Sequence, residues 1–260
     1  MPADGGVMGT STRWKGPRGD RWSAAARRLA RWDPEPRNAD QRLEEIAADH
    51  LRALHETVRA DPSAFGLYGV VCEAGERLAH TLGFLATKGV RSEGELVARL
   101  VSEVGADGGT LADAAVRRGV AEAVRNVRER HGEWDEAMAD APSSEGGFAW
   151  DILCDLYRMF FADTVGEFLR SVVAEHVRQA APVLVVADPE GRIADWVAEK
   201  LVGLVPNPCE EAMDAVPSAE GDLEEPLVLP EIAEALVPRA VGKVLGLVGE
   251  EITGDEGVAA

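Results

Sequence analysis

The sequence predicts an all-α fold, an irregular multi-helix domain preceded by a flexible basic N-terminal tail. Three observations predict it. Ala, Val, Leu, Glu and Arg dominate the 260 residues, hydrophobic residues make up 46% and aromatics only 5%, which favours helices packed through an aliphatic core. Apolar residues recur at three- and four-residue spacing through most of the chain. Only one short segment, Pro182-Val183-Leu184-Val185-Val186, reads as a strand.

The organisation follows from composition. Residues 1–20 combine glycine and proline with no apolar periodicity and read as a flexible tail. Residues 21–37 form a short basic helix and a proline linker. Trp22, Ala25, Leu29 and Trp32 share one face, and Asp33-Pro34-Glu35-Pro36 ends it. Residues 38–252 form the helical domain, and 253–260 a disordered C-terminus.

Within the domain, Asn38 opens a helix striped by Leu43, Ile46, Ala47, His50, Leu51, Leu54 and Val58, which ends before Asp61-Pro62. Ser63 is placed to cap a helix over 64–87. Gly66, Gly69, Gly75 and Gly83 weaken that helix intrinsically and point to close helix–helix approach. Ser92 and Glu95 form a capping-box pattern ahead of 96–104. Thr110 caps a helix running to His131, where Gly132 stops it. Residues 142–147 read as a loop. The most apolar stretch, 148–177, reads as one long helix or two with a kink near Gly166, and as the centre of the core. Asp188-Pro189-Glu190-Gly191 is a capped turn into a helix over 193–205, residues 206–226 a loop, and 230–248 a last helix interrupted at Pro238.

Charge restricts the partners. The chain carries a formal charge of -19, so its body repels nucleic acid phosphates. Between Gly9 and Trp32, by contrast, Arg13, Lys15, Arg18, Arg21, Arg27, Arg28 and Arg31 face a single acid, Asp20. Cys72, Cys154 and Cys209 have neither CxxC spacing nor an even count, and read as inert thiols in a reducing compartment. No segment has the length of apolar sequence needed to span a bilayer, and no secretory h-region is visible, so a cytoplasmic location is expected.

Chemistry is sparse. His50, His55, His80, His131 and His176 lie in no ligand-spaced pattern, and His50 and His55 point about 140° apart on a helix, so both read as solvated or half-buried. There is no Walker A, GxGxxG or GxSxG motif. No metal, cofactor or catalytic residue is therefore expected.

The segment Met8-Gly9-Thr10-Ser11, followed by Gly16-Pro17, Gly19 and Trp22, resembles the N-terminus of QatB proteins. These are components of bacterial Qat anti-phage defence systems, which also contain an ATPase, a QueC-like protein and a TatD-like nuclease. The resemblance covers residues 9–22. It implies a non-catalytic component whose N-terminal segment is bound by a QueC-like ATP-dependent enzyme. Gly9, exposed as a free amine if translation begins at Met8, would be the site of a 7-deazaguanine-type conjugation. Thr10, Ser11, Trp14, Gly16, Pro17, Gly19 and Trp22 would contact the partner, with Trp14 and Trp22 as aromatic anchors. Residue chemistry alone leaves two other readings: an adaptor whose basic tail binds nucleic acid or protein, and a bundle with an apolar groove along 148–173.

Overall fold

The computed structural model describes residues 16–88, 92–105, 107–132, 134, 149–180, 182–215 and 228–248. They form nine α-helices and two short 3-10 turns, with no strand among the described residues. In chain order the helices are α1 (Asp20–Leu29), α2 (Ala39–Ala60), α3 (Leu67–Thr87), α4 (Glu93–Val104), α5 (Leu111–Arg130), α6 (Trp150–Ala180), α7 (Pro189–Val202), α8 (Pro208–Ala215) and α9 (Val228–Val244).

Helix α6 is the axis of the fold. Its 31 residues span about 46 Å. Tyr157, Phe160, Phe161 and Phe168 are fully enclosed, and every residue from Met159 to Leu169 is buried, so burial runs all round the middle of the helix. Such a helix has no solvent stripe and must be covered by neighbours. Helices α5 and α7 lie along it, with α1, α3, α8 and α9 completing the cover. Two glycines set how closely the flanking helices approach. A Cβ on Gly119 of α5 would come 2.8 Å from the backbone of Thr164, and one on Gly166 of α6 would come 2.8 Å from the Ala194 carbonyl oxygen of α7. Gly166 thus serves interhelical contact inside one continuous helix. Residues 159–169 are buried in the core, and residue 148 lies outside the described residues.

The stripes and caps lie where the sequence placed them in several elements. All seven stripe residues of α2 are buried. The Ser92 hydroxyl accepts from the Glu95 backbone N–H, and Thr110 forms a reciprocal capping box with Asp113. Asp188 caps α7 by accepting from the Gly191 N–H at 3.1 Å. In α3, Gly75 faces Phe161 and Val237, and Gly83 faces Pro230, so both admit close neighbours.

Five expectations are corrected. Residues 182–187 form a 3-10 turn joining α6 to α7, because a single short β-branched run has no partner strand to complete its hydrogen bonds. Part of the expected 206–226 loop is α8, entered through Asn207, whose side-chain oxygen accepts from the Cys209 N–H. The helix expected from residue 64 starts at Leu67. Phe65 and Gly66 are left-handed, at φ 61° and 65°, and Ser63 donates its hydroxyl to Asp61 instead of capping. Cys154 and Cys209 are bonded as a disulfide tying α6 to α8, leaving Cys72 as the free thiol. Asn38 occupies the N-cap position of α2 without a side-chain hydrogen bond. The expected loop at 142–147 and the C-terminal residues 253–260 lie outside the described residues.

The helix contacts yield a paired prediction. Gly166→Ala adds a methyl against a carbonyl that cannot give way, so it should destabilise by about 1–3 kcal/mol. Gly69→Ala adds one to an exposed helical site with open space around it and should stabilise by about 0.5–1 kcal/mol. Urea unfolding midpoints of the two variants must therefore move in opposite directions.

Candidate functional site

The residues singled out by sequence converge on the root of the N-terminal segment. Gly9, Thr10, Ser11 and Trp14 lie outside the described residues; Gly16, Pro17, Gly19 and Trp22 lie inside them. Gly16 has φ 82° and Gly19 φ 133°, backbone conformations that L side chains rarely adopt. Gly16 rests against α6, where an added Cβ would stand 3.3 Å from His176 Nε2. Gly19 opens α1, and its carbonyl accepts from the Ser23 N–H at 2.9 Å.

Trp22 is corrected from surface anchor to core residue. Its side chain is 2% exposed and is used within this chain. The indole Nε1–H donates to Thr57 Oγ1 at 2.9 Å, and the Thr57 hydroxyl donates to the Ala53 carbonyl at 2.7 Å. The ring meets His50 and Phe65 edge-on, with centroids 6.4 and 6.3 Å away. Phe65 continues the contact to Phe168 of α6 at 5.3 Å, which accounts for its left-handed backbone. The far end of α1 is secured in the same manner: buried Trp32 donates its indole N–H to the Ala39 carbonyl at 2.9 Å, with the Arg192 guanidinium over its ring.

Beneath this root lies a histidine pair that spacing did not reveal. His50 is fully buried, correcting the expectation of a solvated or half-buried ring. Its Nδ1–H donates to the Ile46 carbonyl at 2.8 Å, which leaves Nε2 as an acceptor facing His176 Nδ1 at 3.4 Å. Both rings are held neutral. Burial pushes His50 down to about 4, with the His50–Ile46 hydrogen bond opposing and His176 adding to the shift. Burial also lowers His176, against the pull of Glu175. The available signal was the position of His50 inside the apolar stripe of α2, where a polar side chain must find internal partners. His55 points elsewhere, to the Val244 carbonyl at 3.0 Å. Among the described residues no group of three His, Cys, Asp or Glu is placed to hold a metal ion.

The basic charge of α1 is divided. Arg21 pairs with Glu56 at 3.0 Å, and Arg28 bridges Glu45 and Asp49, so these two bind the acidic face of α2. Arg18, Arg27 and Arg31 are exposed, and no ion pair among the described residues engages them. The arrangement is an anchor: two buried tryptophans fix α1, and the chain before Gly16 departs from a defined point beside His176.

Among known family models, curated proteins and solved structures, none matches this chain. No described helix is long and apolar enough to cross a membrane.

The buried pair predicts a pH dependence with a defined sign. A histidine whose folded pKa is depressed takes up its proton more readily when unfolded. Its contribution to stability is therefore intact above about 6.5 and lost as the pH falls towards about 4. The loss amounts to roughly 3 kcal/mol for His50. Comparison of wild type with His50→Gln across this range isolates it from the carboxylates. Imidazole NMR should show His50 neutral at pH 5.5; a midpoint near 6.5 would refute the buried neutral pair.

Proposed function

We propose that this protein is a non-catalytic, QatB-like component of a bacterial anti-phage defence complex, whose N-terminal segment is captured and conjugated by a QueC-like partner. The resemblance of residues 9–22 supplies the family. The observation that supports delivery of the segment is its root: Gly16 turns the backbone against His176, Gly19 turns it into α1, and Trp22 locks α1 into the core. A segment rooted in this way is presented to a partner from a fixed position, without dragging the body into the partner's site. Gly16, Pro17 and Gly19 form its base, Thr10, Ser11 and Trp14 its contact residues, and Gly9 its reactive end. Trp22 acts as the internal anchor of that base.

The conjugation requires a chain that begins at Gly9. The free amine attacks a deazaguanine carboxylate activated as an acyl adenylate; the C–N bond forms, AMP leaves, and the amine gives up a proton. Arg18, Arg27 and Arg31, unpaired among the described residues, would steer the segment towards an acidic or nucleotide-loaded entrance. The same three arginines support a second reading, an adaptor that uses its basic N-terminal region to bind nucleic acid or a protein partner.

Intact-mass and N-terminal peptide analysis after co-expression with a QueC-like partner tests the first reading. A chain starting at Gly9 and carrying a deazaguanine mass is expected. An unmodified Gly9 within a stable complex would replace conjugation by the adaptor reading, for which affinity for nucleic acid should fall steeply with salt.

A further inference from the structure

A second feature lies apart from the root of the N-terminal segment, where α5, α6 and α7 leave a cavity of about 470 Å³. This is within the size range of small-molecule sites. Met159, Ala162 and Val202 form an apolar wall, Asn126, Glu129, Asp163, Asp195 and Glu199 bring polar groups to it, and Arg125 and Arg130 also line it.

Asp163 sets this cavity apart. Helix α6 carries three buried carboxylates: Asp163 at 5% exposure, Glu167 at 3% and Glu175 at 3%. Glu167 receives Arg118 at 2.6 Å and Arg170 at 3.0 Å, and Glu175 receives Arg178 at 2.6 Å. These two follow the rule that a buried carboxylate is matched by a cation. Asp163 does not. Its protein partner is the neutral Asn126 amide, whose single nitrogen reaches both carboxylate oxygens, at 3.0 and 3.1 Å. Of the two arginines on the cavity wall, Arg125 is held by Glu122 at 2.6 Å and lies 4.0 Å from Glu129, and neither it nor Arg130 forms an ion pair with Asp163 among the described residues. An ionised carboxylate has roughly four acceptor positions, so Asp163 has capacity left facing the cavity. The one buried carboxylate of α6 without a matching cation among the described residues is thus the one that opens onto empty volume.

We propose that this cavity binds a small organic cation, a primary ammonium or guanidinium on a methylene stem. Its N–H donors are received by Asp163, with Asp195 and Glu199 adding negative potential, and its stem lies on Met159, Ala162 and Val202. A bare metal ion fits less well, since no group of three ligating side chains converges among the described residues. Burial pushes the Asp163 carboxyl up to about 8, with the Asn126 hydrogen bond and the charge of Arg125 opposing and the charges of Glu122 and Asp195 adding. In the empty protein burial favours the protonated carboxyl, and a bound cation favours the ionised one, so binding displaces protons.

Calorimetric titration of the full chain with agmatine, which carries both groups, at pH 7 and 0.15 M salt tests this. Saturable one-to-one binding is expected, accompanied by proton release, read from heats in two buffers of different ionisation enthalpy. Asp163→Asn should weaken binding by about tenfold or more and abolish proton release. Ala198→Phe, which fills the cavity and spares the carboxyl, should also weaken it, whereas Glu73→Gln on the far surface of α3 should not. Absence of saturable heat would overturn the proposal. So would equal affinity in wild type and Asp163→Asn, or a uniform salt-sensitive association in every variant. None of these outcomes bears on modification of Gly9.

Discussion

Everything in this fold depends on enclosing α6. A helix of 31 residues that is buried at every position from Met159 to Leu169 cannot face water on any side over its middle, so the chain must cover it with helices from both directions. Close approach by α5 and α7 is possible because Gly119 and Gly166 leave out the side chains that would hold the backbones apart. That proximity has a cost, because α6 also carries Asp163, Glu167, Glu175 and His176 into the interior. Each buried polar group must then be satisfied by a neighbour: arginines for the two glutamates, an amide for the aspartate, another imidazole for the histidine. The chemical individuality of the molecule comes from the different partners these four groups found.

The N-terminal helix is fastened to this assembly by hydrophobic burial more than by charge. The ion pairs of Arg21 and Arg28 with α2 join exposed or half-exposed groups, which contribute little in water. Trp22 and Trp32 are buried with their N–H groups satisfied, and large aromatic rings supply most of the area that holds a short helix in place. The arginines instead sort themselves by direction. Those over the acidic α2 are neutralised there, while Arg18 near the start of α1 and Arg27 and Arg31 near its far end remain exposed.

Local patterns carried much of this into the sequence. The stripe of α2, the caps at Ser92, Thr110 and Asp188, and the dominance of 148–177 were all legible, because each depends on residues within one or two turns. What escaped depends on distant partners. His50 and His176 are 126 residues apart and Cys154 and Cys209 are 55 apart, and no spacing rule relates either pair. The disulfide also removes the support that unpaired thiols gave to a reducing compartment. Phe65 leaves the helical region because Trp22 and Phe168 hold its ring, a tertiary demand that overrides local propensity. The 182–187 run shows the same limit from the other side: β-branched residues favour a strand only where a neighbouring strand exists.

His50 and Asp163 oppose each other in pH, and the comparison shows where the chain tolerates a defect. Lowering the pH below about 6.5 works against the neutral, buried His50. Asp163 behaves in the opposite sense: its raised folded pKa, about 8, means that stability is lost as the pH rises from the ordinary carboxylate range towards that value. At neutral pH the histidine is satisfied, whereas the aspartate is under stress because burial favours holding a proton that an ordinary carboxyl would have lost. A leucine or asparagine at position 163 would remove that stress, and Glu167 shows that α6 can place an arginine against a carboxylate where stability is what matters. A buried acid kept without a cation, on the wall of a cavity, is the kind of local inconsistency that folding alone does not explain and a ligand does.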